Sequence, residues 1–245
     1  MPLNWILEWG KWTEILKFID EENNSNNKTA FASGIISSFL TPSLSGNFLG
    51  RIFYYDKSKR WKITTYSMIG NFAQFLISVV FGIVALYFTP NLFQIEKWIL
   101  TTLTIVAIII TLTYFRGEKI LQNIQITKLQ SLLLQIKKGP SRLKMLNLSF
   151  LRYLVFIAQY SLALNAFGEP VDLMLICLIS IIFLLITLTP SMFFGKILIR
   201  ESIAVSVLSY VGIGPVLAIF ASFTTWVTNL FIPAFVALIY VKKKK

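Results

Sequence analysis

The sequence predicts an all-α integral membrane protein, a polytopic bundle of roughly eight membrane-embedded helices, some broken or re-entrant. Three observations predict it. The 245 residues are 56% hydrophobic and only 14% charged, where soluble domains carry about a quarter of their residues as charges. Apolar runs recur at the length of about 20 residues that a bilayer's hydrocarbon core demands. The loops between these runs differ in charge, as the loops of a multi-pass protein do.

The elements follow in order. PLNWILEWGKW (2–12) reads as the interior of a helix that begins abruptly. Leu3, Ile6, Leu7, Trp9, Trp12 and Ile15 recur at helical spacing around Glu8, Lys11 and Glu14. It lacks the basic start and small-residue cleavage site of a signal peptide. ENNSNNK (22–28) is a solvated loop. The apolar stretch 30–55 is interrupted by TPSLSG (41–46). Clear spans follow at about 64–89, 98–115, 148–167 and 171–189. The stretch 202–241 is too long for one crossing and predicts two helices, broken near Gly212-Ile213-Gly214-Pro215. Between the two halves of the chain, Leu129, Leu132, Leu133 and Ile136 fall at helical spacing among lysines and glutamines. They predict an amphipathic surface helix or an extension of the preceding span. GPS (139–141) ends it.

The formal charge of +12 is largely a topology signal. Lys57, Lys59, Arg60 and Lys62 form one basic loop, the middle loop carries Arg116 to Lys144, and four lysines follow the last apolar run. Asp20, Glu21 and Glu22, then Glu96, then Glu169 and Asp172 mark the other loops. The expected location is the inner cell membrane, with the basic loops and the C-terminus cytoplasmic. Partners are then membrane lipids with anionic or phosphate-bearing headgroups rather than nucleic acid. With no histidine and one cysteine, Cys177, in an apolar run, no metal site, disulfide or cofactor is expected. No ATP-binding loop or nucleotide fingerprint is present. No catalytic residue is assigned, and the Asp20-Glu21-Glu22 cluster reads as a solvated loop. The expectation is a protein that is not an enzyme.

Two segments share a plan. TPSLSGNFLGR (41–51) and TPSMFFGKILIR (189–200) each run Thr-Pro-Ser, a glycine, then an arginine five positions later. They suggest one domain, 1–245, with a possible internal repeat of halves about 1–139 and 140–245, parallel or inverted. Pro42 and Pro190 remove a backbone donor and break a helix. Gly46 and Gly195 permit a turn or a close helix approach. Arg51 and Arg200, with Lys196 beside the second glycine, are candidates to hold a phosphate. Glu201 follows Arg200 and faces a different direction on a helix. The competing reading is that both arginines are interfacial anchors that snorkel. Asn71, Gln74, Gln159, Asn165 and Asn229 line a polar path or bond neighbouring helices.

Taken together, PLNWILEWGKW (2–12), TPSLSGNFLGR (41–51) and TPSMFFGKILIRES (189–202) resemble the lysylphosphatidylglycerol synthase transmembrane region, a flippase-like family of bacterial and archaeal membrane proteins. The first looks like that family's Pro-x-Asn-Trp-x-x-Glu-x-x-Lys-Trp segment. The resemblance implies lipid binding or lipid translocation between leaflets. It implies no aminoacyl-transferase activity, which in the family belongs to a separate soluble domain. Asn47 stands where the family often has glutamate, so a carboxylate role is not carried over, and Leu198 stands where a glycine is common. Family members carry further helices ahead of the Asn-Trp segment, so the resemblance implies an N-terminally shortened member. The functional expectation is a protein that binds and translocates a phospholipid or a polyprenyl-phosphate-linked lipid. The alternative is a non-catalytic membrane partner of a lipid- or glycan-synthesis enzyme.

Overall fold

A computed structural model describes residues 1–41, 46–122, 139–189 and 194–244. Pro42, Pro190 and the expected surface helix around 129–136 lie outside the described residues. The described chain is helical throughout: α1 (Pro2–Phe18), α2 (Asn27–Leu40), α3 (Gly46–Ile52), α4 (Lys57–Phe88), α5 (Pro90–Phe93), α6 (Lys97–Gln122), α7 (Arg142–Asn165), α8 (Leu173–Leu188), α9 (Phe194–Leu208), α10 (Pro215–Trp226) and α11 (Ile232–Lys243).

Among the described residues, three helical stretches are long and apolar enough to cross a membrane, fewer than the roughly eight expected: Lys57–Phe88, Lys97–Arg116 and Pro215–Lys243. This fits a membrane protein. Only 17% of the most apolar window of α6 is buried in the protein, and Ile105, Ile108, Ile109 and Leu112 point outward, as a lipid-facing helix requires. The remaining helices are shorter or carry charges. The 14 residues of α2 reach roughly 21 Å at 1.5 Å per residue, short of the ~30 Å hydrocarbon core. The 16 residues of α8 are marginal by the same measure.

Contacts sort the segments into two ends. At one end, Lys59 pairs with Glu21 at 2.5 Å. The Tyr55 hydroxyl donates to Asn27 Oδ1 at 2.5 Å. Lys244 Nζ donates to the Ser25 carbonyl at 2.9 Å, and Lys144 pairs with Glu14 at 2.5 Å. At the far end, Phe93 packs on Tyr210 with ring centroids 4.7 Å apart, and Phe167 packs on Phe220. Both ends of the α2–α3 pair therefore lie at the basic end. Both ends of the α8–α9 pair lie at the far end. Each pair therefore begins and ends on one side, and the two hairpins enter from opposite directions.

This corrects one expectation. The acid-leaning loop at 20–22 does not face away from the basic loops. It lies among them, because α2 and α3 are too short to carry the chain across.

Sequence chemistry explains several boundaries. Ser141 caps α7 by accepting the Lys144 N–H, and Asp172 caps α8 by accepting the Leu175 N–H at 2.7 Å. The break expected at Gly212–Pro215 is present. Gly212 adopts φ +79°, and α10 restarts with Gly214 at its cap and Pro215 at its first position. The last span contains a π-helical turn at Val227–Phe231. Pro233 has no N–H to return to the Asn229 carbonyl, so the α-helical ladder opens there.

Two apolar clusters occupy the ends. Trp12, Ile15, Ile19, Tyr55, Ile63, Tyr66 and Met145 build the basic-end cluster. Leu86, Leu100, Leu164, Leu178, Leu208 and Ile213 build the far-end cluster. The α2–α3 hairpin closes on glycine: a Cβ on Gly50 would sit 2.1 Å from the Ser33 carbonyl oxygen. Gly50→Ala is expected to push the hairpin apart and cost about 1–3 kcal/mol, as overpacking against a fixed neighbour does. Thermal unfolding in detergent would read it, and an unchanged midpoint would show that the two helices separate freely.

Candidate functional site

A cavity of about 310 Å³ lies between the α2–α3 and α8–α9 pairs. Its walls carry Glu8, Asn47, Arg51, Arg152, Arg200 and Asn229 among apolar and amide side chains. Arg51 comes from α3, Arg200 from α9 and Arg152 from the middle of α7. The two arginines of the repeated segments, far apart in sequence, line one space.

Glu8 organises the α1 side. Its carboxylate is 6% exposed and holds Arg51 Nη2 at 3.2 Å and Arg152 Nη1 at 2.5 Å. Asn47 Nδ2 donates to the same carboxylate at 3.3 Å and exchanges two amide bonds with Asn71, each 2.9 Å. Asn47 thus serves as a donor to a carboxylate supplied by another helix. Arg152 Nε donates to Asn4 Oδ1 at 2.5 Å, and Asn4 donates to Asn229 Oδ1 at 2.9 Å. Asn229 donates to Gln159 Oε1 at 2.8 Å. The network ties α1, α3, α7 and the π-helical turn together.

Aromatic faces hold the guanidinium groups. Arg51 lies 4.7 Å from the Trp12 ring centroid and 5.2 Å from that of Phe31. Arg152 lies 5.5 Å from Phe156. Such contacts stabilise a cation without neutralising it. Three guanidinium groups face one carboxylate, so the cavity carries an excess of positive charge and suits an anion.

The sequence-derived candidates divide. Arg51 is 2% exposed, so it is an interior ion-pair partner and does not snorkel to an interface. Among the described residues Arg200 hydrogen-bonds the Ser222 carbonyl alone, at 3.5 Å through Nη2. Its buried Nε has no partner among the described residues. Glu201 does not line the cavity. Its carboxylate oxygens are buried near Tyr160 of α7 and Ser222 of α10. Gly46 is pressed against Ser38, where a Cβ would lie 2.4 Å from Cα, whereas a Cβ on Gly195 would meet nothing within 4 Å. Lys196 sits in the first turn of α9; its side chain lies outside the described residues. Of the polar residues expected along a path, Asn71, Gln74 and Asn229 line the cavity. Gln159 buttresses Asn229, and Asn165 bonds the Glu169 carbonyl at the far end.

The sequence does not single out Arg152, and it shows Glu8 and Lys11 only as members of the first helix's motif, not as site residues. Lys11 is 3% exposed and its Nζ reaches the Gly70 carbonyl and Gln74 Oε1, both at 3.5 Å. A charge inside an apolar run, as at Arg152, was the available signal. Among the described residues no cluster of acidic, histidine or cysteine side chains could hold a metal ion. Compared with known proteins, the chain matches no family model, no curated protein and no solved structure.

Proposed function

We propose that this protein binds a phosphate-bearing lipid headgroup in the cavity and carries it between the leaflets. The lipid is a phospholipid or a polyprenyl-phosphate-linked lipid. The observation that carries the reading is the convergence of Arg51, Arg152 and Arg200 on one cavity between two hairpins that enter from opposite directions. A volume of about 310 Å³ suits a headgroup, not its acyl chains, which would lie between the helices. Opposed broken helices around a central site are the plan of many transporters, and the two Thr-Pro-Ser segments are then an inverted repeat. The resemblance to the flippase-like family points the same way. The basic end faces the cytoplasm in this reading.

Arg200 is the least committed of the three arginines and so is the one to change. In proteoliposomes, fluorescent phosphatidylglycerol and a polyprenyl-phosphate probe should cross with the wild-type protein. Arg200→Gln should lower the rate at least tenfold, and Arg200→Lys should keep part of it. Equal rates in folded wild type and Arg200→Gln would remove Arg200 from the site. No movement of either probe by the wild type would favour the alternative, a non-catalytic partner of a lipid-synthesis enzyme.

A further inference from the structure

Beside the cavity, between α7, α9 and α10, lies a second group of polar side chains that the headgroup reading does not use. Both carboxylate oxygens of Glu201 are buried and have no hydrogen-bond partner among the described residues. The same holds for the hydroxyls of Tyr160 and Ser222 and for Arg200 Nε. Tyr160 and Ser222 are both 0% exposed. The Ser222 hydroxyl lies beside Tyr160 and Glu201, yet no bond of normal geometry joins them.

A buried carboxylate with neither oxygen satisfied is costly while charged. Glu8 shows the contrast, with two arginines and an asparagine on its oxygens. The groups that face Glu201 are Tyr160 from α7, Arg200 from its own helix and Ser222 from α10. α8, also packed against α9, is apolar there and contributes no acid or base besides Cys177. The cheapest way to satisfy the carboxylate is a proton, which turns one oxygen into a donor for the waiting hydroxyls.

We infer that Glu201 is a proton-carrying site coupled, through Arg200, to the occupancy of the cavity. The inference rests on the proposed lipid-phosphate reading. Arg200 both lines the cavity and adjoins Glu201. A charged Glu201 offsets the Arg200 field; a protonated Glu201 leaves that field to an anion in the cavity. Phosphate and proton therefore favour each other's binding, and by linkage the coupling is reciprocal. The step balances simply: a proton leaves water at one face, rests on the Glu201 carboxylate while the cavity is occupied, and returns to water at the other face. No bond to the lipid forms or breaks.

Two measurements on the full chain in phosphatidylcholine vesicles test this. The first is labelling by dicyclohexylcarbodiimide, which attacks protonated carboxyls in apolar surroundings. Mass spectrometry should find Glu201 labelled, more so as pH falls from about 9 to about 6, with ion-paired Glu8 unlabelled. The second is albumin back-extraction of short-chain fluorescent phosphatidylglycerol with and without a pH gradient of about one unit. The gradient should raise the wild-type rate at least threefold, and in Glu201→Gln the ratio should fall to about one. Absence of label at Glu201, an equal gradient response in Glu201→Gln, or a requirement for sodium over choline at fixed pH would overturn the proton site. Movement of the probe without a gradient response would overturn the coupling and leave translocation standing. No movement under either condition would overturn the translocation reading and the coupling with it, even with Glu201 labelled.

Discussion

Glu8→Gln is expected to be the most destabilising single change in this protein, by about 3–5 kcal/mol, because it leaves buried guanidinium groups without a counter-ion. The Glu8 carboxylate bridges Arg51 and Arg152, at 3.2 and 2.5 Å, and all three sit inside the helix bundle. Glutamine keeps the shape and one acceptor but removes the charge. Total stabilities of about 5–15 kcal/mol are usual, so a loss of this size would lower the yield of folded protein sharply. Thermal unfolding in detergent gives the number. Pairing the change with Arg51→Met should recover part of the loss, since one buried cation goes with the anion. Glu14→Gln supplies the scale: its partner Lys144 is 51% exposed, and exposed pairs contribute about 0–1 kcal/mol. If Glu8→Gln and Glu14→Gln cost the same, the Glu8 bridge is not holding the cavity wall.

Much of the outline is written in the sequence, because hydropathy and helix breakers act locally. The interruption at 41–46, the restart at Pro215 and the arginines after the two glycines are readable from residue type alone. Direction is not. Whether a helix crosses or turns back depends on what its tip meets, and apolar content is the same in both cases. The α2–α3 hairpin turns back because Gly50 lets it fold on itself against Ser33, a contact with no hydropathy signature. The first helix misleads for a related reason. Its apolar residues look like a core face, as they would in water. Yet Leu3 is 55% and Ile6 62% exposed, while Asn4, Glu8 and Lys11 are buried. With lipid outside, Leu3 and Ile6 face outward and the polar residues turn inward with Trp12 and Ile15, Glu8 among them lining the cavity. Glu8 and Lys11 were visible as residues of a motif, but their inward direction was not. Arg152 was hidden in the same way, as one charge within the run 148–167.

The opposed hairpins make an all-or-none prediction about access. In a chain with Cys177, which is buried, replaced by serine, single cysteines at Asn23, Lys57, Lys243, Asn91 and Val171 would be probed with a membrane-impermeant maleimide. All five positions are exposed. Asn23, Lys57 and Lys243 should label from one face, and Asn91 and Val171 only from the other, in right-side-out and inside-out vesicles compared. Asn23 is the decisive position. If α2 and α3 carried the chain across, Asn23 would label with Asn91 and Val171, as a plain alternation of acidic and basic loops demands. If the pair turns back, it labels with the lysines, as its neighbours Glu21 and Ser25 do when they contact Lys59 and Lys244. The consequence reaches the cavity. In the proposed reading, hairpins entering from opposite faces bring Arg51 and Arg200 to one cavity, which rocking one hairpin against the other would open to each leaflet in turn. Hairpins entering from the same face would leave both arginines facing one side, and a headgroup bound there would have no second exit.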